Sequence, residues 1–387
     1  MDFTLTDEQR MMAETLRNLL DAECTVPQLR KLLAEDKTRD EKRWRKLFEL
    51  GLGGVLVSEE NGGLGLGELD FALVAEECGR AALPEPLIEQ AGIAASLLQD
   101  LSGRKRGQSE FPGSAIDAGE QSRQEIHSDP FFSGAGGKLL AGIVAGDIPV
   151  VIGHPANPFV LEADAAEILL LPRGGELHLV KRRHVDLTLQ PSIDPFRRLY
   201  RVDWLPSNST LLADAEQAAP LWDAALDRGA LFAAAQCLGI AQRVVEIAVA
   251  YAKDRQQFGK PIGSYQAIKH HLATVQVKIE FVRPVVHAAA ALFAPGDTLS
   301  AARISHAKLA AGEAAELACR TAIQVHGAMG YSWEVDVHFF LKRALALAGT
   351  WGDRAFHRRR VAHRLFETAL PIGADQIFAN EDDRHVA

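Results

Sequence analysis

The chain has 387 residues, 47% of them hydrophobic, and its formal net charge is −9 at pH 7. A chain of this length can fold into two or three domains. The acidic excess argues against sequence-independent nucleic-acid binding, because neutralising phosphates requires a basic face. The N-terminus has no signal-peptide pattern, and no uncharged apolar run reaches the ~18 residues of a membrane span. We therefore expect a cytoplasmic protein without a membrane span that acts on small molecules.

Metal and disulfide chemistry is not predicted. The cysteines are widely separated, without C-x-x-C spacing, and we interpret them as structural; they are Cys24, Cys78, Cys237 and Cys319. His270 and His271 are adjacent and cannot both face one side of a helix. We expect no metal site.

The first part of the chain, residues 1–115, is predicted to be a helical domain. Thr6-x-x-Gln9 has the spacing of a capping box and predicts a helix over 7–22, and two amphipathic stretches follow. Between them lies the glycine-rich segment SEENGGLGLGELD, which lacks the strand and helix start of a phosphate-binding loop. We interpret this segment as a turn. A polar segment over about 103–130 predicts a long loop or insertion.

Residues 116–215 are predicted to be a small β domain, and residues 216–370 a helical bundle followed by a polar tail over 371–387. The β pattern consists of short β-branched or alternating segments between Pro, Gly and Asp: IPVVIGH, AEILLLP, ELHLVKR, VDLTLQP and RLYRVDW. The bundle pattern consists of long Ala- and Leu-rich segments, near 222–253, 264–294, 299–327, 334–348 and 352–368.

Two segments of the bundle are candidates for chemistry. In YAKDRQQFGKPIGSYQAIKHH, Arg255 stands at a helix end beside the start of the next helix, an arrangement that can hold an anion. A solvated cation at a helix C-terminus explains Arg255 equally well. In QVHGAMGYSWEVDVHFFLKRA, Gln324 precedes glycines at 327 and 330 that permit close backbone approach or form a helix C-cap.

Together these segments resemble the acyl-CoA dehydrogenase family. GLGGVLVSEENGGLGLGELDFALVAEECGRAALPEPL is similar to the family's N-terminal helical domain, EADAAEILLLP to its middle domain, and DRQQFGKPIGSYQAIKHHLA to its most specific signature. The resemblance implies an α fold with a small β domain: N-terminal helices, a β-barrel-like middle domain and a C-terminal four-helix bundle. It also implies that a glutamate removes an α proton from an acyl-CoA thioester while FAD accepts the β hydride.

The resemblance implies a binding site for the adenosine diphosphate half of FAD, which the family shares across a subunit interface. By match of motif, its residues are Arg255, Phe258, Gln266, Gln324, Gly327 and Ala328. An arginine fork suits a pyrophosphate. Ala328 stands where the family usually has a second glycine.

The catalytic glutamate is missing at both positions that the family uses. An ungapped count places Trp351, in ALAGTWGDRAFHRRR, on the commoner position and Gly229 on the other. An indole is a donor only and cannot accept a proton. The nearest carboxylates are Asp353, which we interpret as a helix N-cap, and Asp227, which points away from Gly229 on a regular helix.

The flavin-holding loop is also missing. Between 100 and 170 the sequence has neither the Glu-Pro-Gly-x-Gly-Ser-Asp-like loop nor the Trp-Ile-Ser/Thr-like strand of the family. GYSWEVDVHFFLKRA resembles subunits of α2β2 dehydrogenases that shorten steroid side chains as CoA thioesters. We expect a subunit that contributes the adenosine side of FAD, with a homologous partner and electron-transfer flavoprotein as acceptor. A self-sufficient enzyme with a relocated base and a flavin-free structural subunit are the alternatives.

Overall fold

The computed structural model describes residues 4–109 and 136–367. The N-terminal part contains a π-helix, Ile88–Ala95, that runs directly into the last of its α-helices. These are α1 (Asp7–Glu23), α2 (Val26–Ala34), α3 (Glu41–Glu49), α4 (Glu68–Arg80) and α5 (Ser96–Ser109). The predicted capping box of α1 is confirmed: the Gln9 backbone N donates to Thr6 Oγ1 (3.2 Å) and the Thr6 backbone N to Gln9 Oε1 (3.0 Å).

The glycine-rich segment forms a turn, as its sequence indicates. It folds back on the preceding chain, since the Leu64 backbone N donates to Gly54 O (2.8 Å) and the Leu66 backbone N to Val55 O (2.9 Å). Gly65 has a φ of 63°, which favours glycine. Because the protein itself uses these amides, they do not form a phosphate cradle.

The polar loop predicted from residue 103 is wrong for residues 103–109, which continue α5. Arginine, lysine and glutamine in this stretch have high helix propensity, and the chain reaches no proline before Pro112. The rest of the predicted insertion and the predicted tail over 371–387 lie outside the described residues.

The middle of the chain forms two small sheets. A short helix, α6 (Gly136–Val144), precedes their strands: β1 (Val150–Ile152), β2 (Val160–Leu161), β3 (Ile168–Arg173), β4 (Glu176–Lys181), β5 (Asp186–Gln190), β6 (Leu199–Asp203) and β7 (Leu211–Ala213). One sheet has the order β1-β3-β4-β7, with β1 and β3 parallel, and the other has the order β2-β6-β5. The five predicted strands are β1, β3, β4, β5 and β6. The very short β2 and β7 carry too few residues for a detectable alternation.

The C-terminal part contains long helices whose bounds are close to those predicted. They are α7 (Ala215–Asp254), α8 (Gln266–Ala291), α9 (Thr298–His326), α10 (Val337–Gly349) and α11 (Arg354–Phe366). A two-stranded hairpin, β8 (Gln256–Gln257) and β9 (Lys260–Pro261), joins α7 to α8. By length and apolar composition α7 could cross a membrane, but its most apolar stretch is largely covered by neighbouring helices. It is the core helix of the bundle.

Glycines bring α4 and α7 into close contact. A Cβ added at Gly239 would lie 1.9 Å from Glu76 O, and one added at Gly79 would lie 2.1 Å from Gln236 O. Any larger residue at either position would force the two helices apart. The N-terminal helices and the C-terminal bundle therefore share one continuous core.

Arg343 on α10 connects three parts of the fold. Its side chain is buried, forms an ion pair with the buried Asp194 after β5, and donates from Nη1 to Leu83 O after α4 (2.6 Å). A buried ion pair adds stability only while both partners are present, because removing one leaves an uncompensated charge. Arg343 thus fixes α10 against both the sheets and the N-terminal helices.

We predict that Arg343→Met lowers the free energy of unfolding by about 3–5 kcal/mol, because Asp194 is left as an unpaired buried charge. Urea unfolding measures the effect. The matched control is Arg201→Met, which removes the exposed ion pair with Asp203 and should change stability by less than about 1 kcal/mol. In Arg343→Met/Asp194→Leu most of the loss should be recovered; equal losses in the single and double variants would contradict this role.

Candidate active site

The segment between α10 and α11 holds Trp351 in an unusual backbone conformation. Trp351 has a φ of 57° and Gly352 one of 91°, and the Trp351 side chain is buried. The left-handed region costs a non-glycine residue about 1–2 kcal/mol, so the surrounding contacts must hold it there. This segment is the break that the sequence places at the family's commoner glutamate position.

Hydrogen bonds fix the Trp351 backbone from both sides. Its N–H donates to Asn157 Oδ1 (2.8 Å), and its carbonyl accepts from His357 Nε2 (2.9 Å). His357 Nδ1 in turn accepts from Ser305 Oγ (3.1 Å). Lys308, buried beneath the end of α10, donates from Nζ to Leu347 O, and burial lowers the pKa of this amine to about 8.

The Trp351 indole occupies the space that Gly229 leaves open. A Cβ added at Gly229 would lie 2.2 Å from Trp351 Cδ2 and 2.5 Å from Cγ, distances that no side chain could adopt without moving the ring. The two positions that the ungapped count places on the family's glutamates, far apart in sequence, therefore meet in space. Residue 351 places its indole in this space, and residue 229, a glycine, has no side chain that would overlap it.

The imidazole beside Trp351 is not a free base. The ring centroids of His154 and Trp351 are 5.3 Å apart. His154 Nδ1 accepts from the Ala156 backbone N (3.0 Å), so its Nε2 carries the proton and donates to Trp222 O (2.9 Å). Burial lowers the pKa of His154, which keeps the ring neutral. Both ring nitrogens are therefore engaged by backbone groups.

The two substitute carboxylates named from the sequence are engaged elsewhere. Asp353 caps α11, its Oδ1 accepting from the Phe356 backbone N (2.7 Å), as the sequence indicates. Asp227 is buried on α7 and forms an ion pair with Arg360 of α11 (2.8 Å). Burial raises the pKa of Asp227 against the opposing effect of Arg360.

A cavity of about 220 Å³ lies beside Trp351, and neither Asp353 nor Asp227 lines it. Its wall contains an acidic residue that sequence reasoning missed: Glu89, on the π-helix, paired with Arg197 (3.2 Å). A charged residue inside the apolar run PLIEQAGIAASLL was the available signal. Within residues 4–109 and 136–367, no group of three His, Cys, Asp or Glu side chains is placed to hold a metal ion.

The six residues predicted for the cofactor lie together at one end of the bundle. The Tyr251 ring at the end of α7 stacks on the His326 ring at the end of α9, with centroids 4.1 Å apart. The Ile262 backbone N donates to Arg255 O (2.8 Å), which holds the start of α8 against the same end. All six are exposed at this end: Arg255, Phe258, Gln266, Gln324, Gly327 and Ala328.

Two of these positions, 258 and 327, have a positive φ angle, and neither residue is packed into the core of the bundle. Phe258 is 91% exposed and has a φ of 52°, and Gly327, with a φ of 60°, ends α9. In the part of the chain that the structure describes, the Arg255 side chain has no hydrogen bond or ion pair. An exposed cation, an exposed ring and an open backbone thus lie at the same end of the bundle.

Two protein-family models match this chain and identify its family. The model for the acyl-CoA dehydrogenase N-terminal domain matches residues 6–100, and the model for the acyl-CoA dehydrogenase C-terminal domain matches residues 220–366. The chain belongs to the acyl-CoA dehydrogenase family. This confirms the resemblance stated from the sequence, together with the predicted fold class. Members of the acyl-CoA dehydrogenase family are oxidoreductases that bind FAD.

Individual relatives agree with this assignment. Acyl-CoA dehydrogenase IpdE2 of Mycobacterium tuberculosis is 33% identical, over 88% of this chain and 92% of the relative. The ChsE4-ChsE5 complex from Mycobacterium tuberculosis has a chain of similar fold (TM-score 0.75, 22% identity, 95% of this chain and 100% of that chain). The Tcur3481-Tcur3483 steroid ACAD is also similar in fold (TM-score 0.72, 23% identity, 94% and 99%).

We predict that Gly229→Ala in this acyl-CoA dehydrogenase lowers the free energy of unfolding by about 1–3 kcal/mol, because the methyl group would overlap the Trp351 ring. Gly312→Ala on α9 is the control, since its Cβ would meet no atom within 4 Å; it should be neutral or stabilise by up to about 1 kcal/mol. Chemical unfolding of Gly229→Ala, Trp351→Ala and the double variant measures the coupling. Strictly additive losses would show that the two positions do not share this space.

The pKa of His357, lowered by burial to about 4, predicts a pH dependence of stability. The folded-state pKa lies below the unfolded value of about 6.5, so the neutral ring contributes stability above pH 6.5 that is lost as pH falls towards 4. Between pH 7.5 and 5 the wild type should lose about 2 kcal/mol relative to His357→Gln. His306→Gln, at an exposed position, is the control. Identical pH profiles for wild type and His357→Gln would refute the assignment.

Proposed function

We propose that this chain is a subunit of a heteromeric acyl-CoA dehydrogenase in which it contributes the adenosine diphosphate half of a shared FAD site. A homologous partner subunit supplies the flavin-ring site, the substrate pocket and the catalytic base. The observation that carries the proposal is the Trp351 indole in the place of the family's glutamate, with Gly229 left open for it.

The reaction of the family needs a proton acceptor, and the carboxylates that the structure describes around Trp351 already have partners. Removal of an α proton requires a basic group within hydrogen-bond reach of the substrate carbon. The indole N–H only donates, and Asp353 caps a helix. Asp227 is paired with Arg360, and Glu89 in the cavity wall is paired with Arg197. The base therefore comes from the partner, while FAD, when bound, accepts the hydride.

The exposed end of the bundle suits an anionic dinucleotide. The Arg255 guanidinium presents a planar set of N–H donors that matches pyrophosphate oxygens. The Phe258 ring offers an apolar face for an adenine, and Gly327 allows the backbone to approach a ligand closely. Gln266 and Gln324 add amide groups at the ends of α8 and α9, and Ala328 places a methyl group where most members have none.

We propose that the substrate is an acyl-CoA thioester, specifically the CoA ester of a steroid side chain, and that electron-transfer flavoprotein accepts the electrons in the cytoplasm. The support is the likeness of GYSWEVDVHFFLKRA to subunits of α2β2 steroid dehydrogenases. The shapes of the matching subunit chains, from a two-protein complex and from a steroid ACAD, agree with it. The assembly expected is a heterotetramer.

Purification of the chain with and without a homologous partner tests the proposal. The chain alone should be colourless and inactive, and a yellow complex that oxidises an acyl-CoA should form only on co-expression. A yellow, active chain on its own would instead establish a self-sufficient enzyme. A complex whose flavin content is unaffected by this chain would make it a flavin-free structural subunit.

We predict that Arg255→Ala weakens FAD binding by the complex by about tenfold or more, because a hydrogen bond to a charged group is lost. Equilibrium dialysis of the complex against FAD measures the affinity. Lys253→Ala, an exposed cation two residues away, should leave it within about threefold. Unchanged affinity in Arg255→Ala, or an equal effect of both substitutions, would reject the assigned role.

A further inference from the structure

We propose that Glu162 and Thr38 form a proton-dependent contact between the N-terminal helices and the β2-β6-β5 sheet, closed when Glu162 is protonated and loosened when it is ionised. Glu162 directly follows β2, and Thr38 lies in the loop between α2 and α3. Leu161 of β2 and Leu199 of β6 line the cavity beside Trp351, so the contact determines how firmly this wall is held. The inference goes beyond the proposed function, because it requires neither FAD nor a partner subunit.

Glu162 is buried and joins two parts of the chain through its carboxyl group. The residue is 3% exposed. Thr38 Oγ1 donates to Glu162 Oε2 (2.8 Å), and the Arg198 backbone N donates to Oε1 (3.3 Å). The Glu162 backbone N in turn donates to Arg198 O (2.8 Å). One carboxyl group therefore connects the α2–α3 loop to the segment that leads into β6.

The hydrogen bonds of this carboxyl group suit its protonated form. The Thr38 hydroxyl donates to a carboxylate, and it can rotate to accept from a protonated acid. Oε1 of Glu162 accepts from the Arg198 backbone N in both forms. Protonation therefore loses no hydrogen bond, whereas ionisation leaves a charge in a poorly solvated place.

The charges around Glu162 do not compensate its carboxylate. The charged and titratable groups are Asp36 on the α2–α3 loop, Asp164 on the turn after β2, Arg198 before β6, and Tyr200 on β6. The Arg198 guanidinium forms ion pairs with Asp36 (2.8 Å) and Asp164 (3.5 Å). Tyr200 stays neutral, because burial and a hydrogen bond to Asp164 raise its pKa to about 12. Three carboxyl groups thus surround one cation.

Glu162 consequently keeps its proton up to near-neutral pH. Burial, together with Asp164, raises the pKa of Glu162 from 4.5 to about 7, against the opposing effects of Thr38 and Arg198. Because the pKa in the closed contact lies above that of a solvated glutamate, the closed form binds the proton more tightly than the open form. The stability gained from this proton is complete below about pH 4.5 and is lost as pH rises to about 7.

The backbone on both sides of the contact has an unfavourable conformation. Asp36 and Glu162 each have a φ of 52°, in the left-handed region that residues with a Cβ seldom adopt. The surrounding hydrogen bonds and ion pairs must hold both residues there. Opening of the contact would release both residues, which favours the open form once Glu162 is ionised.

Hydrogen exchange of the full chain, followed by mass spectrometry, tests the proposal. The exchange rates are corrected for the pH dependence of the chemical step. The opening constant of segments 158–166 and 196–202, which contain the paired strands β2 and β6, should then rise about tenfold between pH 6 and pH 8. Helix α1, which contains no histidine, is the internal control and should change by less than about twofold.

Three variants assign this effect to the contact. Glu162→Gln stays neutral at every pH and should abolish the rise, whereas Glu167→Gln, at an exposed position nearby, should keep it. Thr38→Val removes the hydroxyl and should increase the opening constant of segment 35–40 about fivefold at pH 6, because a buried hydrogen bond is lost. Circular dichroism verifies that each variant is folded.

Three outcomes would overturn the proposal. They are corrected exchange of the wild type that does not change between pH 6 and pH 8, a rise of equal size in helix α1, and a folded Glu162→Gln variant that keeps the rise of the wild type. The first two need no substitution, so the wild-type profile decides the proposal even if Glu162→Gln does not fold.

Discussion

The Trp351 ring packs directly against the backbone of Gly229, and this contact determines which side chains positions 229 and 351 can carry. The ring can be buried only because position 229 has no side chain, and residue 229 cannot regain one while the ring is there. The Trp351 backbone has a left-handed conformation, which Asn157 and His357 stabilise through hydrogen bonds. A glutamate side chain introduced at position 229 alone would therefore overlap the Trp351 ring.

Buried charges join the parts of the fold around this contact. Arg343 ties α10 to the loop after β5 and to the N-terminal helices, and Arg197 ties the same loop region to the π-helix. Both pairs lie where three parts of the chain meet, one of them at the cavity wall. The same two ion pairs, Arg343–Asp194 and Arg197–Glu89, therefore hold these parts of the chain together and place charged groups near the cavity.

The sequence was informative where a pattern is local and long. The helices of the bundle follow from apolar periodicity and their caps. The end-of-bundle set around Arg255 follows from two short motifs, over residues 255–266 and 324–328, that resemble those of the family. Helix α5 was not foreseen in residues 103–109, because their polar composition and two glycines suggest a loop, although the arginines, lysine and glutamine there have high helix propensity. The two-residue strand β2 carries no readable alternation.

The arrangement of the site could not be predicted from the sequence, because its residues come together only in the folded chain. An ungapped count put Trp351 and Gly229 at the two glutamate positions, but only the fold brings them together. Glu89 stood in an apolar run and could have been noticed as a buried charge, yet its partner Arg197 comes more than a hundred residues later. Long-range pairs of this kind follow from packing and not from any local spacing rule.

The central claim is that the adenosine half of FAD rests on this chain and the flavin ring on its partner. The most direct measurement is the FAD content of the purified complex, by flavin absorbance against the amount of each chain from amino-acid analysis. The account predicts one FAD for each pair formed by this chain and its partner. Two FAD molecules per pair would mean that this chain also completes a flavin site of its own, and would contradict it.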